Sequence, residues 1–150
     1  MKTSRLMLGT LLYPLLFAFP SNQFAQNIQA MDDSSQHAKR SLAINFLRAI
    51  NTAELAYRGK HGSFAEWHIL LTSEEFRDKG LKWAARQAPQ LADAHFSNGP
   101  EVLPGWNLRL NVTANAKSYD VLLEDTNDKD HGYAVQTDER GLIRECKTLE

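Results

Sequence analysis

An α+β domain is the fold class this sequence predicts: a long N-terminal helix packed on a four-stranded antiparallel β-meander. Three observations lead there. Apolar residues between Leu42 and Tyr57 recur at helical spacing. From Trp106 onward the period switches to alternation of apolar and polar residues. Four alternating runs then follow one another with short polar links, the order of an antiparallel meander with one packed face, and the helical stripe is the surface that covers it.

The helix is the strongest local signal. Leu42, Phe46, Ala49, Ile50, Ala53 and Tyr57 form one buried face, with Arg48, Asn51 and Arg58 largely off it. Met31–Gln36 is polar and acidic and reads as a flexible lead-in, with Asp32, Asp33 or Ser34 able to cap the helix start. Gly59 and Gly62 end the helix. Ser63 and Glu66 fit a capping box, which predicts a short helix over Phe64–Leu71. Thr72-Ser73-Glu74-Glu75 repeats the signal and opens a second short helix ending near Gly80. Leu81–Ala94 is ambiguous, because its alanines favour helix while Pro89 limits the length. Ser97–Gly105, with two Gly and two Pro, reads as a loop.

In the first strand Trp106, Leu108, Leu110 and Val112 point one way and Asn107, Arg109, Asn111 and Thr113 the other. Tyr119–Glu124, Gly132–Thr137 and Leu142–Cys146 are the next three strands, and Asp125–His131 is a polar loop between the second and third.

The front end has the three-part layout of a secretory signal peptide. Lys2 and Arg5 are its positive region, Leu6–Phe19 its uncharged apolar run, and Ala25 or Ala30 precedes the cut. The apolar run is shorter than the roughly 20 residues that span a bilayer, and Pro14 interrupts it. Residues 1–30 are therefore leader and lead-in, and residues 31–150 a single domain exported to the periplasm or beyond. Without Lys2 and Arg5, 15 basic residues stand against 18 acidic ones, a net charge of −3. With no basic block, nucleic acid is not an expected partner. The single cysteine, Cys146, has no partner for an internal disulfide; it is a free thiol or an intermolecular bridge, and reads first as a partly buried thiol at the end of a strand.

Ile50-Asn51-Thr52-Ala53-Glu54, then Tyr57 and the Gly-bearing turn to Gly62, resemble the helix core of the type IV pilin and pseudopilin-like heads of exported bacterial proteins. Tyr133-Ala134-Val135 and Thr137–Arg144 resemble the last hairpin of the same heads. The resemblance implies a pilin-like globular head with no catalytic residues. The prepilin processing signature is absent: Gly9 is followed by Thr10, Pro14 stands where a Glu is required, and no acidic residue precedes Asp32.

A few groups of residues are of types that could carry chemistry. Asp125-Thr126-Asn127-Asp128-Lys129-Asp130 is the best cation candidate, since hard cations take several oxygen ligands from a tight loop. Lys129 at the fifth position and Asp130 at the glycine position exclude an EF-hand, although the resemblance implies that such strand-joining loops bind calcium in some pseudopilin heads. The loop is read as solvated, with no metal or cofactor assigned. His37, His61, His68, His95 and His131 show no metal-ligand spacing. Glu54, beside the buried stripe, pairs with Arg58 one turn on or accepts hydrogen bonds from the turn after the helix; no second acid or base accompanies it for catalysis. Trp67, Trp83 and Trp106 are a possible carbohydrate or peptide platform, with Trp67 and Trp106 better placed in the core. Asn111-Val112-Thr113 fits a glycosylation pattern that carries no information in a bacterial setting.

The expected function is that of an exported, non-enzymatic interaction or structural module of the periplasm or cell envelope, whose partners are other envelope or pilus-system proteins. One alternative is a minor pilin or pseudopilin that keeps its leader as a membrane anchor. The other is a small periplasmic enzyme or ligand carrier, which needs a pocket lined by polar groups; one between Leu81–Gly105 and the sheet with converging His or acidic side chains would favour it.

Overall fold

Helix α1 (Asn22–His61) runs without a break in the computed structural model, which describes residues 22–127 and 132–147. Most of the leader read over Met1–Ala30 lies outside the described residues, as do Asp128–His131 of the acidic loop. Ser34–Gln36 are already helical, so the flexible lead-in with a cap at Asp32, Asp33 or Ser34 is corrected. No Gly or Pro occurs between Asn22 and Arg58, and nothing in the backbone stops the helix there. Ala43, Phe46, Leu47, Ala49, Ile50 and Ala53 are buried, and Leu42 and Tyr57 pack at the margin. The buried face is wider than one stripe because α1 is covered on two sides, by the sheet and by a second helical segment. At the C-terminus Gly62 takes φ +79, and its N–H donates to the Arg58 carbonyl at 2.7 Å. This left-handed cap suits glycine, which has no Cβ to clash.

The Ser63–Glu66 capping box does not form. Glu66 is itself the extended residue before α2 (Trp67–Thr72) and makes no side-chain cap bond. The loop amides are satisfied from elsewhere: Phe64 N–H by the Ala116 carbonyl at 3.1 Å and Ala65 N–H by Glu54 Oε2 at 3.0 Å. The second signal does cap, with Ser73 Oγ accepting the Phe76 N–H at 3.1 Å. It opens a π-helix (Glu75–Leu81) that continues into α3 (Lys82–Ala84), past the expected stop at Gly80. A 3-10 turn, Pro89–Leu91, completes the ambiguous stretch.

The sheet has five strands rather than four. β1 (Glu101–Leu103), β2 (Trp106–Val112), β3 (Tyr119–Asp125), β4 (Tyr133–Asp138) and β5 (Arg144–Lys147) are antiparallel and lie in sequence order. The added strand falls within Ser97–Gly105, which the sequence presents as loop. Its Pro104-Gly105 pair is a tight hairpin turn, with Gly105 at φ +80 and Leu103 opposite Trp106. The last strand begins at Arg144, two residues later than expected.

Cross-strand register sets the two faces. Leu108 lies opposite Leu123 and Leu110 opposite Val121, on the face toward α1. On the outer face Arg109 Nη2 meets Glu124 Oε2 at 3.5 Å and Asn111 Nδ2 donates to Asp120 Oδ2 at 2.9 Å. Phe46 gathers an aromatic cluster, stacked on Phe96 at 5.2 Å and edge-on to Trp67 and Phe76. Such pairs add about 0.5–1.5 kcal/mol each beyond area burial. The cluster packs the segment after α3 onto α1 with apolar contacts.

Candidate functional site

Helical spacing on α1 places Arg48, Thr52 and Leu55 along one side, away from the core. Lys79 and Trp83, four residues apart, come from the π-helix and α3 opposite. Together with Asn51 and Gly141 they line a shallow groove of about 430 Å3. Leu55 is 54% exposed and Trp83 42%, and Leu142, next to Gly141, is 53% exposed. Two of the four large apolar side chains exposed among the described residues therefore line one groove, and a third, Leu142, follows its lining residue Gly141 in the chain. Neither Arg48 nor Lys79 has an ion-pair partner among the described residues; Arg48 Nη1 donates only to Asn45 Oδ1, at 3.2 Å.

A buried polar chain underlies the groove floor. The Tyr119 hydroxyl donates to Asn51 Oδ1 at 2.8 Å, and Asn51 Nδ2 donates to Thr137 Oγ1 at 2.9 Å. Asn51 is buried, which corrects its placement off the core face. It is polar because it meets the sheet where Tyr119 and Thr137 need partners. Burial, with Glu54, Asp138 and Glu139 nearby, pushes the Tyr119 phenol well above its usual range. One turn further along α1, Glu54 has no exposed surface. It takes the second of its two expected roles and accepts the Ala65 N–H at 3.0 Å, while Arg58 lies over the Phe64 ring at 5.0 Å. Burial raises the Glu54 pKa from 4.5 to about 7.

The remaining candidates are dispersed. Trp67 and Trp106 are buried and Trp83 is exposed, so the three do not form one platform. His37, His61, His68 and His95 are exposed; His61 stacks on Tyr57 and His68 Nδ1 lies 3.5 Å from Glu66 Oε2. His131 lies outside the described residues. Asp125 is engaged by Lys39 Nζ at 3.4 Å and by the Asn127 N–H at 2.9 Å, and Asp128–Asp130 lie outside the described residues. Among the described residues no three His, Cys, Asp or Glu side chains converge on a metal position. Cys146 on β5 is half-buried, its thiol donating to the Ala134 carbonyl at 3.5 Å. No described helix is long and apolar enough to cross a membrane.

Phe96, from Leu81–Gly105, packs into the aromatic cluster with Phe46 and Phe76, and Phe76 meets Trp67 edge-on. Beside the cluster, where residues 98–100 face β2, two adjoining open grooves of about 480 and 450 Å3 share Trp67, Asn98 and Leu110. The groove at Trp83 is not legible in the sequence, because its lining comes from α1, the π-helix, α3 and the β4–β5 turn. No family model, curated protein or solved structure matches the chain.

Proposed function

We propose that this chain is an exported, non-enzymatic interaction module of the bacterial periplasm or cell envelope, with a pilin-like head that docks a protein partner in the Leu55–Trp83 groove. The observation that carries the reading is the grouping of exposed Leu55 and Trp83 with Arg48 and Lys79, cations without an ion-pair partner among the described residues. Apolar area left in water beside charge is the mark of an interaction surface. The packing of α1 on an antiparallel sheet supports the pilin-like part, together with the Ile50–Tyr57 and Tyr133–Arg144 motifs. The signal-peptide layout of the first 30 residues supports export.

Two measurements test it. N-terminal sequencing of protein recovered from the periplasm is expected to find Gln26 or Met31 first; recovery with Met1 would sink the cleaved-leader reading. A photo-crosslinking side chain at Leu55 or Trp83 is expected to give one discrete adduct with an envelope protein in cells. The same adduct from Gln136, on the outer face of the sheet, would sink the docking role of the groove.

A further inference from the structure

The β1–β2 ladder stops before β2 does. Glu101 pairs with Asn107 and Leu103 with Trp106, and the Leu108 N–H donates to the Pro100 carbonyl at 2.7 Å. Beyond that point the first strand has left. Pro100 has no amide to offer, and residues 97–99 fold back, with Gly99 N–H donating to Ser97 Oγ and Ser97 N–H to the Val102 carbonyl. Because the Leu108 amide faces the β1 side, the alternation of backbone groups along a strand turns the N–H and C=O of Leu110 and Val112 the same way. Their pairing with β3, opposite Val121 and Tyr119, leaves those groups unused. No hydrogen bond to either amide forms on that side among the described residues.

This open edge lies along the two adjoining grooves. Glu66, Trp67 and His68 form the facing wall of one, Asn98, Gly99 and Pro100 the rim of the other. We propose that the edge at Leu110–Val112 is a strand-addition site that takes an extended segment of a partner polypeptide, continuing the track that β1 leaves at Pro100. Main-chain donors and acceptors in a row select an extended backbone. Side-chain preference follows from the pleat: residues opposite Leu110 and Val112 fall on the Trp67 side and are apolar, and the residue between them faces the polar outer surface beside Asn111. Glu66, Trp67 and His68 stand across the groove from this edge, so an added strand lies between them and β2. The opposite edge of the sheet is guarded differently. β5 carries Arg144, Glu145 and Lys147, charges of the kind that discourage edge pairing; Leu110-Asn111-Val112 carries none.

The proposal stands apart from the Leu55–Trp83 groove, and its test reads different residues. The probe is the capped peptide Thr-Ile-Thr-Val-Thr, added to the isotope-labelled protein while backbone amide exchange is followed by NMR. Exchange at Leu110 and Val112 is expected to slow by about tenfold or more near saturation. The same peptide N-methylated at Ile and Val, which removes the paired donors, is expected to leave both amides unchanged. Unaltered exchange up to the solubility limit of the first peptide would overturn the proposal. So would equal protection by the methylated peptide, protection confined to residues 144–146, or concentration-dependent protection without peptide, which would assign the edge to self-association.

Discussion

The Glu54 carboxylate accepts the Ala65 amide hydrogen at 3.0 Å, fastening the middle of α1 to the loop that follows it. The other oxygen, Oε1, has no partner among the described residues, and the side chain has no exposed surface. Burial disfavours the charged form and raises the pKa from 4.5 to about 7. The folded-state pKa therefore exceeds the unfolded one. The stabilisation from holding the proton is fully present below about 4.5 and is lost as pH rises through about 7. That span corresponds to about 3 kcal/mol. Denaturant unfolding is expected to show stability falling between pH 5 and pH 8, and Glu54→Gln to remove most of the fall. A wild-type profile that rises through this window, with Glu54→Gln superimposed on it, would contradict the assignment.

The Tyr119–Asn51–Thr137 chain carries a second prediction. Asn51→Ala strips partners from two buried groups, the Tyr119 hydroxyl and Thr137 Oγ1. Each unsatisfied group costs about 1–3 kcal/mol, so a total loss of roughly 2–6 kcal/mol is expected. Tyr119→Phe removes one bond from the same chain and is expected to cost about 1 kcal/mol. The double variant is expected to cost less than the sum, with coupling of at least about 0.5 kcal/mol in a double-mutant cycle read by chemical denaturation. Strict additivity would mean that the hydroxyl and the amide do not act together.

What the sequence conveys and what it withholds divides along the range of the interactions. The Leu42–Tyr57 stripe and the alternation from Trp106 are set by neighbours three or four, or two, residues away, and both are present in the fold. Asn51 is misplaced by its local spacing because its partners lie 68 and 86 residues further on. β1 is only three residues long, too short for a period to show; the signal that could find it is the Pro104-Gly105 turn beside Trp106. Ser63–Glu66 has the letters of a capping box, but Ala116 and Glu54 take the amides of Phe64 and Ala65 and hold the chain extended at Glu66. The groove at Trp83 depends on how helices cross and leaves no trace in any single segment.

Cys146 gives a chemical readout of the β4–β5 pairing. Its thiol donates to the Ala134 carbonyl at 3.5 Å, and burial, with Glu124 close by, holds its pKa above the ordinary thiol value. The thiolate is the reactive form. Alkylation by iodoacetamide at pH 8 is expected to be on the order of tenfold slower than for a free cysteine. The rate is expected to rise with pH beyond 9 and to reach the free-thiol value in denaturant. Native and denatured rates that coincide at pH 8 would show the thiol to be unprotected.

Gly80 and Gly59 make opposite predictions for the same substitution. Gly80 lies where the π-helix crosses α1, and a Cβ placed there overlaps the Ala49 carbonyl oxygen and crowds Ala53 Cβ at 3.3 Å. Backbone cannot move aside as a side-chain tip can. Gly80→Ala therefore separates the two helices and is expected to cost about 1–3 kcal/mol, the usual range for overpacking. Gly59 lies in the last turn of α1, and a Cβ added there meets nothing within 4 Å. Gly59→Ala reduces the freedom of the unfolded chain without a clash and is expected to add about 0.5–1 kcal/mol. Thermal unfolding of the two variants beside wild type checks both signs at once. A neutral Gly80→Ala would mean that the π-helix is free to slide along α1, and the close crossing would lose its role in fixing Lys79 and Trp83 across from Leu55.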